Sequence, residues 1–449
     1  MSRVVDMTRG NPSKLILKFA LPLIVTNLGQ QLYMIVDAAI VGRGVGVKAL
    51  AAVGATDWTY WLVLWTVIGL TQGFSTFVSR YFGEKDFRKM NGAVAMSAIL
   101  CAVIGSLLTV AGLLVVRPLM TLLKTPADIF NLASNYLTTM VAGMLVVTAY
   151  NMAAAVLRAF GDGRSPLIAM IIAALLNIGL DLLFVMVFHW GVFGAALASV
   201  LSQLVSFIYC LIRILKIEYI RLDRQAWRID WGMIRDLLAF AMPLAVQYII
   251  ICIGGIILQS TMNLQGSFFI AGYTAANKLY GLLESMAISV GSSFATFFSQ
   301  NYGAGRLDRI KQGMRAGVKM IVLMAIGVMA LVYVLRFWLL QLFLDVAEEG
   351  GAEALGFAVY YLTIMICSLI ILYLIHVYRN ILQATGVSTW SMISGFAEFG
   401  VRVVMSKIVI RWIGPDALFY AEPVSWLGAL LCVMLPYYFF YRKRLLGNV

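Results

Sequence analysis

Apolar runs of membrane-spanning length, roughly 20 residues or more, follow one another along the whole chain. In the first half they fall near 15–40, 53–78, 93–116, 131–157, 166–188 and 191–214. In the second they fall near 238–263, 275–300, 317–340, 357–383, 390–413 and 422–441. Each predicts a transmembrane helix, because a backbone surrounded by hydrocarbon must satisfy its own hydrogen bonds. Polar positions are confined to short connections, with one exception. The stretch from Lys216 to Arg235 sets Arg221, Asp223, Arg224, Arg228 and Asp230 around Trp227 and Trp231. That mixture suits a solvated loop and an amphipathic segment lying on the membrane equally well.

The pattern also repeats. Phe19-Ala20-Leu21-Pro22-Leu23 returns as Phe240-Ala241-Met242-Pro243-Leu244. Phe74 to Ser79 with Gly83 returns as Phe294 to Ser299 with Gly303, and Leu157 to Gly161 as Leu382 to Gly386. A duplicated apolar unit predicts an all-α polytopic membrane protein. Its about twelve transmembrane helices would form two pseudo-symmetric six-helix bundles around a central cleft, a transporter plan. The expected parts are an N-terminal lobe over 1–220, a cytoplasmic linker over 221–236 and a C-terminal lobe over 237–449.

Composition and charge narrow this further. Hydrophobic residues make up 62% of the 449 and charged residues 12%, where a soluble domain carries about 25%. The net charge of +13 does not point to nucleic acid, because the basic residues sit in short loops. Arg3, Arg9, Lys14, Lys18, Arg80, Lys85, Arg88, Lys89, Arg158 and Arg164 fall on one side. So do the linker, Arg306, Arg309, Lys311, Arg315, Arg442, Lys443 and Arg444. The other side holds few, among them Arg43, Lys48, Arg117, Lys124, Arg336 and Arg411, and the acidic Asp345, Glu348, Glu349 and Glu353. The basic side is cytoplasmic by the positive-inside rule. Both termini then face the cytoplasm, in the plasma membrane, and the two repeats run parallel. The five cysteines lie in apolar runs without a CxxC pair and read as buried thiols.

A carboxylate inside a span costs about 3 kcal/mol on insertion scales, so each needs a reason. Asp37 shares a helix face with Tyr33, four residues earlier. Asp181 follows Asn177 by one turn, and Ser199 adds a hydroxyl at comparable depth. Four oxygen-bearing groups of this kind suit a proton or a small hard cation such as Na+ at Asp37, Asn177 and Asp181. For Asp181 a structural hydrogen bond is the plainer alternative. The second half does not repeat the set. Alignment of Gly161 with Gly386 puts Arg402 opposite Asn177 and Ser406 opposite Asp181. Glu398 and Arg402, four apart, form a structural ion pair in this reading. Glu284 is either a second proton-linked group or a partner for Lys278 or a backbone donor. Gln30, Tyr33, Met34, Tyr150, Met262, Tyr273, Glu284 and Met286 are candidates to line a tolerant substrate cleft. Pro22 and Pro243 mark bends in the first helix of each half.

Taken together, the sequence resembles the multidrug and toxic compound extrusion (MATE) family of the multidrug/oligosaccharidyl-lipid/polysaccharide exporter superfamily. The resemblance rests on Ala20-Leu21-Pro22, Val36-Asp37 leading to Gly42, and Gly69-Leu70-Thr71-Gln72-Gly73 with Gly83. It extends through Leu157 to Gly163, Asn177 to Asp181, and Gly194-Ala195-Ala196. It implies an antiporter that expels organic cations or drugs against Na+ or H+. No cofactor is expected, and no enzymatic activity, because the sequence shows no HExxH motif, no serine–histidine pairing and only two histidines. It places the N-lobe cation site on Asp37, Asn177 and Asp181, with Ser199 where the family often has threonine. It also implies that the first helix bends when its aspartate is neutralised. Members resembling the NorM branch carry a glutamate where this chain has Ile251. A monomer with a small-molecule substrate in the lipid bilayer is expected. The alternative, a flippase of lipid-linked precursors from the same superfamily, calls for a more basic cavity than Lys278 and Arg402 supply.

Overall fold

A computed structural model describes residues 4–123, 125–262, 264–344 and 350–441. Arg3, Lys124, Asp345, Glu348, Glu349, Arg442, Lys443 and Arg444, used above for orientation, lie outside the described residues. The helices of the first half are α1 (Pro12–Gly44), α2 (Val47–Glu84), α3 (Phe87–Leu122), α4 (Phe130–Ala142), α5 (Met144–Ala159), α6 (Arg164–Asp181) and α7 (Gly191–Leu215). Those of the second are α8 (Trp231–Met262), α9 (Ser267–Gly303), α10 (Leu307–Gln341), α11 (Gly351–Cys367), α12 (Leu369–Ala384), α13 (Thr389–Val404), α14 (Ile410–Ile413) and α15 (Asp416–Pro436). No strand occurs among the described residues.

Among the described residues nine helices are long and apolar enough to cross a membrane, and the bent pairs α4–α5 and α11–α12 bring the number to eleven. The remaining expected span, near 390–413, is α13 continued through a π-helical turn, Met405–Val409, into α14. Large apolar side chains stay exposed at helical spacing, such as Leu107, Val110 and Leu114 on α3 and Leu331, Val334 and Trp338 on α10. Such stripes find a suitable solvent in lipid, not water. The chain is a multi-pass membrane protein. Of the cysteines, Cys101, Cys210 and Cys252 are buried as expected; Cys367 is exposed and Cys432 half-buried. An outward thiol costs little on an apolar helix that faces lipid.

The duplication is physical as well as textual. Phe87 and Leu307 open α3 and α10, Met144 and Leu369 open α5 and α12, and Arg164 and Thr389 open α6 and α13. Asn11 Oδ1 accepts the Lys14 N–H at 3.2 Å before α1, and Asp230 Oδ1 accepts the Met233 N–H at 3.0 Å before α8. Each cap satisfies an orphan donor and contributes about 1 kcal/mol. Helices α5 and α12 both end in a left-handed glycine, Gly161 at φ +73° and Gly386 at φ +93°. The Asp162 N–H then reaches the Leu157 carbonyl at 3.0 Å, and the Val387 N–H the Leu382 carbonyl at 2.9 Å, a termination that glycine permits without steric cost.

The bends repeat too, for different local reasons. The chain turns by 48° between α4 and α5 and by 43° between α11 and α12. At the first, a Cβ on Gly143 would lie 2.4 Å from Val200 Cγ2. At the second, Ser368 Oγ donates back to the Ile364 carbonyl at 2.9 Å, a bond that tends to bend helices.

Two compact units result. The first comprises the chain up to Asp6 and Leu21–Ala245; the second comprises Met7–Ala20 and the chain from Val246. The division therefore runs through α1 beside Pro22 and through α8 beside Pro243, not at the linker over 221–236. In the first unit Leu237, Phe240, Ala241 and Leu244 of α8 are buried in the core, with Phe240 edge-on to Phe77 at 5.5 Å. The linker is held there by Asn91, which donates to the Tyr219 carbonyl at 3.1 Å and accepts the Arg221 N–H at 2.9 Å. In the second unit the segment before α1 is clasped in the same way. Arg309 donates to the carbonyls of Gly10 at 2.9 Å and Met7 at 3.1 Å, and to Asn301 Oδ1 at 3.0 Å. Gln300 Oε1 accepts the Met7 N–H at 2.9 Å.

Candidate functional site

The first unit gathers Asp37 and Tyr33 from α1, Asn177 and Asp181 from α6, and Ser199 from α7. Asp37 and Asp181 are within hydrogen-bonding reach of each other. Oriented by its neighbours, the Asn177 amide donates to Asp181 Oδ2 at 3.0 Å and accepts from Ser199 Oγ at 3.3 Å. Tyr33 in turn is hydrogen-bonded to Ser199. Since the serine hydroxyl donates to Asn177, the tyrosine donates to the serine. The four side chains form one directed chain: tyrosine to serine to amide to carboxylate. It ends on the carboxyl pair.

That pair is the chemically unsettled part. Asn177, Asp181 and Ser199 are buried and Asp37 is half-buried. Asp37 Oδ1 and Asp181 Oδ1 are buried and have no hydrogen-bond partner among the described residues. Neither carboxylate is in an ion pair there. Two carboxyl groups in contact cannot both be charged and remain bonded; a proton must lie between them, or a cation must take its place. Among the described residues no group of three or more His, Cys, Asp or Glu is placed to hold a metal ion; the oxygen set here consists of two carboxylates, an amide and hydroxyls. Immediately after Asp181 the helix widens into a π-helical turn, Leu182–Val187, an irregularity often found beside functional groups.

The structure adds residues that the sequence reading passed over. Tyr60 on α2 is hydrogen-bonded to Gln203 on α7 and lies in electrostatic reach of Tyr33. Tyr136 on α4 is in electrostatic reach of Asp37, and Asp57 on α2 of Tyr136. Gln203 follows Ser199 by one turn, so its shared face was available from spacing. Tyr60, Tyr136 and Asp57 come from other spans and carried no such signal.

The other candidates scatter. Gln30 is exposed, and Met34 and Met286 are half-buried. Tyr150 packs against the core of the first unit. Met262 is fully buried, and Tyr273 is buried with its ring 5.0 Å from Tyr361. Met262 and Tyr273 are therefore packing residues in this structure and not cleft-lining ones. Pro22 lies within a continuous α1. Glu398 and Arg402 meet at 3.6 Å, yet this contact is one edge of a larger network. Arg402 also pairs with Glu422 at 2.7 Å, and Arg379 pairs with Glu398. Arg402 further donates to the Ile251 carbonyl at 3.0 Å, and Arg379 to Ser394 at 2.9 Å. Arg379 and Glu422 had escaped notice because they lie on α12 and α15, far from Glu398 in sequence.

Comparison with known proteins decides the family. The MatE profile matches residues 22–183 and again 243–408, one match per half, each opening at the proline of the first helix. The chain belongs to the MatE family. Members of this MATE family are transporters. The probable multidrug resistance protein YoeA of Bacillus subtilis is 25% identical over 437 residues, covering 95% of this chain and 93% of its own. The multidrug export protein MepA of Staphylococcus aureus (strain NCTC 8325 / PS 47) is 21% identical over 427 residues, covering 94% and 93%. The crystal structure of a MATE protein in complex with MaL6 superposes with a TM-score of 0.88 at 20% identity, covering 99% of both chains. The fold of this MATE chain is therefore that of solved MATE transporters, about twelve helices in two repeats.

Proposed function

We propose that this MATE protein is a cation-coupled antiporter that exports organic cations or drugs by alternating access. Asp37, Asn177, Asp181 and Ser199 would hold the coupling ion, H+ or Na+. The observation that carries this reading is the Asp37–Asp181 pair: two carboxyl groups in contact, each with an oxygen that no donor satisfies, and without a basic partner, among the described residues. Isolated acids of this kind in membrane helices mark ion and proton pathways. The names of the relatives, multidrug resistance and multidrug export proteins, support varied small molecules as cargo. In the cycle, the pair takes a cation from outside, the substrate leaves, the transporter changes its access, and the cation is released to the cytoplasm. Pro22 removes one rung of the α1 ladder and gives the helix a place to bend as Asp37 is neutralised. The protein acts as a monomer in the plasma membrane with both termini cytoplasmic. It needs no cofactor and has no nucleic-acid partner.

The test uses purified protein in liposomes loaded with a fluorescent organic cation, with a pH gradient and a Na+ gradient imposed separately. One gradient is expected to drive efflux. Asp37→Asn is expected to reduce that efflux to the leak rate while eluting as a monodisperse, folded protein. Efflux by Asp37→Asn at the unaltered rate would remove the pair from the mechanism.

A further inference from the structure

The sequence leaves the stretch from Lys216 to Arg235 between a solvated loop and a segment on the membrane; its packing separates the two. Tyr219 stacks on Phe87 with centroids 4.8 Å apart, and Ile220, Leu222 and Ala226 pack against the core of the first unit. Trp227, Ile229 and Trp231 stay outside, 45%, 59% and 74% exposed. A loop in water gains by turning its largest apolar side chains inward, and this one buries smaller ones instead. Trp231 also continues a stripe. Trp231, Arg235, Ala239 and Met242 are exposed at helical spacing along one face of α8. Met242 lies within a helix long and apolar enough to cross a membrane, so this face meets lipid. Trp231 stands at its end, the level at which tryptophan is enriched in membrane proteins.

A cleft of about 1380 Å³ opens here between the start of α3, the linker and the start of α8. Arg88, Lys89, Arg221 and Arg228 line it, with Ile229 and Trp231. Four acids line it too, and three of them serve the backbone. Asp86 accepts the Lys89 N–H at 3.0 Å and pairs with the Lys89 ammonium at 3.3 Å. Asp223 accepts the Ala226 N–H at 2.9 Å, and Asp230 the Met233 N–H at 3.0 Å. Glu218 is the fourth. Arg88, Arg221 and Arg228 form no ion pair with these acids or with any other carboxylate among the described residues. Three guanidinium groups therefore remain unmatched beside a tryptophan at lipid level. The planar fork of a guanidinium fits two phosphate oxygens at once.

We propose that this cleft binds the phosphate headgroup of an anionic phospholipid of the surrounding bilayer. Arg88, Arg221 and Arg228 hold the phosphate, and Trp227, Ile229 and Trp231 sit in the interfacial layer beside it. The occupant is a lipid because the exposed apolar residues are continuous with the lipid-facing stripe of α8, where a soluble anion has no use for them. The site lies wholly in the first unit, away from the Asp37–Asp181 pair, and does not depend on the coupling reading. Its consequence is that the linker, which begins at the end of α7 and leads into α8, is ordered by the lipid around the protein.

Hydrogen exchange read by mass spectrometry on the full chain tests it. The protein is placed in nanodiscs of phosphatidylcholine alone and in nanodiscs in which half the lipid is phosphatidylglycerol. Amide exchange across the linker is expected to slow about tenfold with phosphatidylglycerol. A variant carrying Arg88→Gln, Arg221→Gln and Arg228→Gln together should lose that slowing, while exchanging like the parent in phosphatidylcholine. Inorganic phosphate added to the phosphatidylcholine nanodiscs should leave the parent's linker unprotected. A second measurement is native mass spectrometry of protein released from the mixed nanodiscs, where the parent should retain phosphatidylglycerol that the triple variant loses. Equal exchange of the parent in the two nanodiscs, or slowing and retention that survive in the triple variant, would overturn the assignment. Protection by inorganic phosphate alone would give the arginines to a soluble anion and overturn it equally.

Discussion

At the same point of the duplicated frame, the two units hold opposite chemistry. In the first, Asn177 and Asp181 precede a π-helical turn, and the carboxyl pair of Asp37 and Asp181 has no basic partner among the described residues. In the second, Arg402 stands where Asn177 does, a π-helical turn follows, and every carboxylate of the Glu398–Glu422 network is matched by a guanidinium. The difference teaches that duplication preserved the backbone solution while freeing the charges to diverge. A charge that is fully paired in hydrocarbon is fixed and serves the fold. A charge left unpaired must exchange a proton or a cation, and can do work.

The comparison breaks most readily in the second unit. Arg379→Ala leaves Glu398 buried with its paired guanidinium removed, and should cost about 3–5 kcal/mol; a thermal-unfolding series in detergent would register it as a large loss of folded protein. Replacing Arg379 by Met together with Glu398 by Gln should restore most of the loss, because no uncompensated charge is left. If the double replacement is as damaged as the single one, the network does more than balance charge.

A smaller effect is expected at the clasp. Arg309→Ala removes three hydrogen bonds from a charged group, and should destabilise the second unit by about 2–3 kcal/mol. Limited proteolysis before Pro12 would detect it as faster cleavage. Asn91→Ala, which removes the corresponding clasp of the first unit, loses only neutral partners and should cost less.

Smaller still is the cap at the start of α3. Asp86 Oδ1 accepts the Lys89 N–H at 3.0 Å, whereas Arg306, at the equivalent start of α10, makes no side-chain cap. Asp86→Ala should cost about 1 kcal/mol. The Lys89 backbone hydrogen bond holds the Asp86 carboxyl below the usual carboxylate range. Its contribution is therefore present above the unfolded-state pKa and is lost as pH falls through the lower folded value. The stability difference between parent and Asp86→Ala should vanish in acid; a difference constant down to strong acid would contradict the cap.

The smallest effect on stability, and the sharpest on function, belongs to Asp181→Asn. It removes one unpaired charge from the first unit, so the unfolding midpoint should hold or rise slightly while gradient-driven efflux falls to the leak rate. A large loss of stability would mean that the first unit's carboxylates are as structural as those of the second.

Much of this was legible before any coordinates. The spans were readable because each must hide its backbone from lipid, and the repeat because the same local problems received the same residues. Gly161 and Gly386 answer one helix termination twice, and Pro22 and Pro243 open the two family matches. Asp37, Asn177 and Asp181 stood out because acids in apolar runs are rare and one-turn spacing puts partners on one face. Arg379 and Glu422 did not stand out, since their partners lie in other helices and no local rule links them. Nor did the division of α1 and α8 between units, because Leu237, Phe240 and Ile16 look like any other apolar helix positions until their neighbours are known.

The sequence by itself determined the helices, their duplication and the presence of intramembrane acids, because hydrophobic period, caps and charge act over a few residues. Only the tertiary structure decided which charges are neutralised and which are not. That depends on side chains brought within about 4 Å from distant parts of the chain, where low polarity makes a partner or its absence decisive.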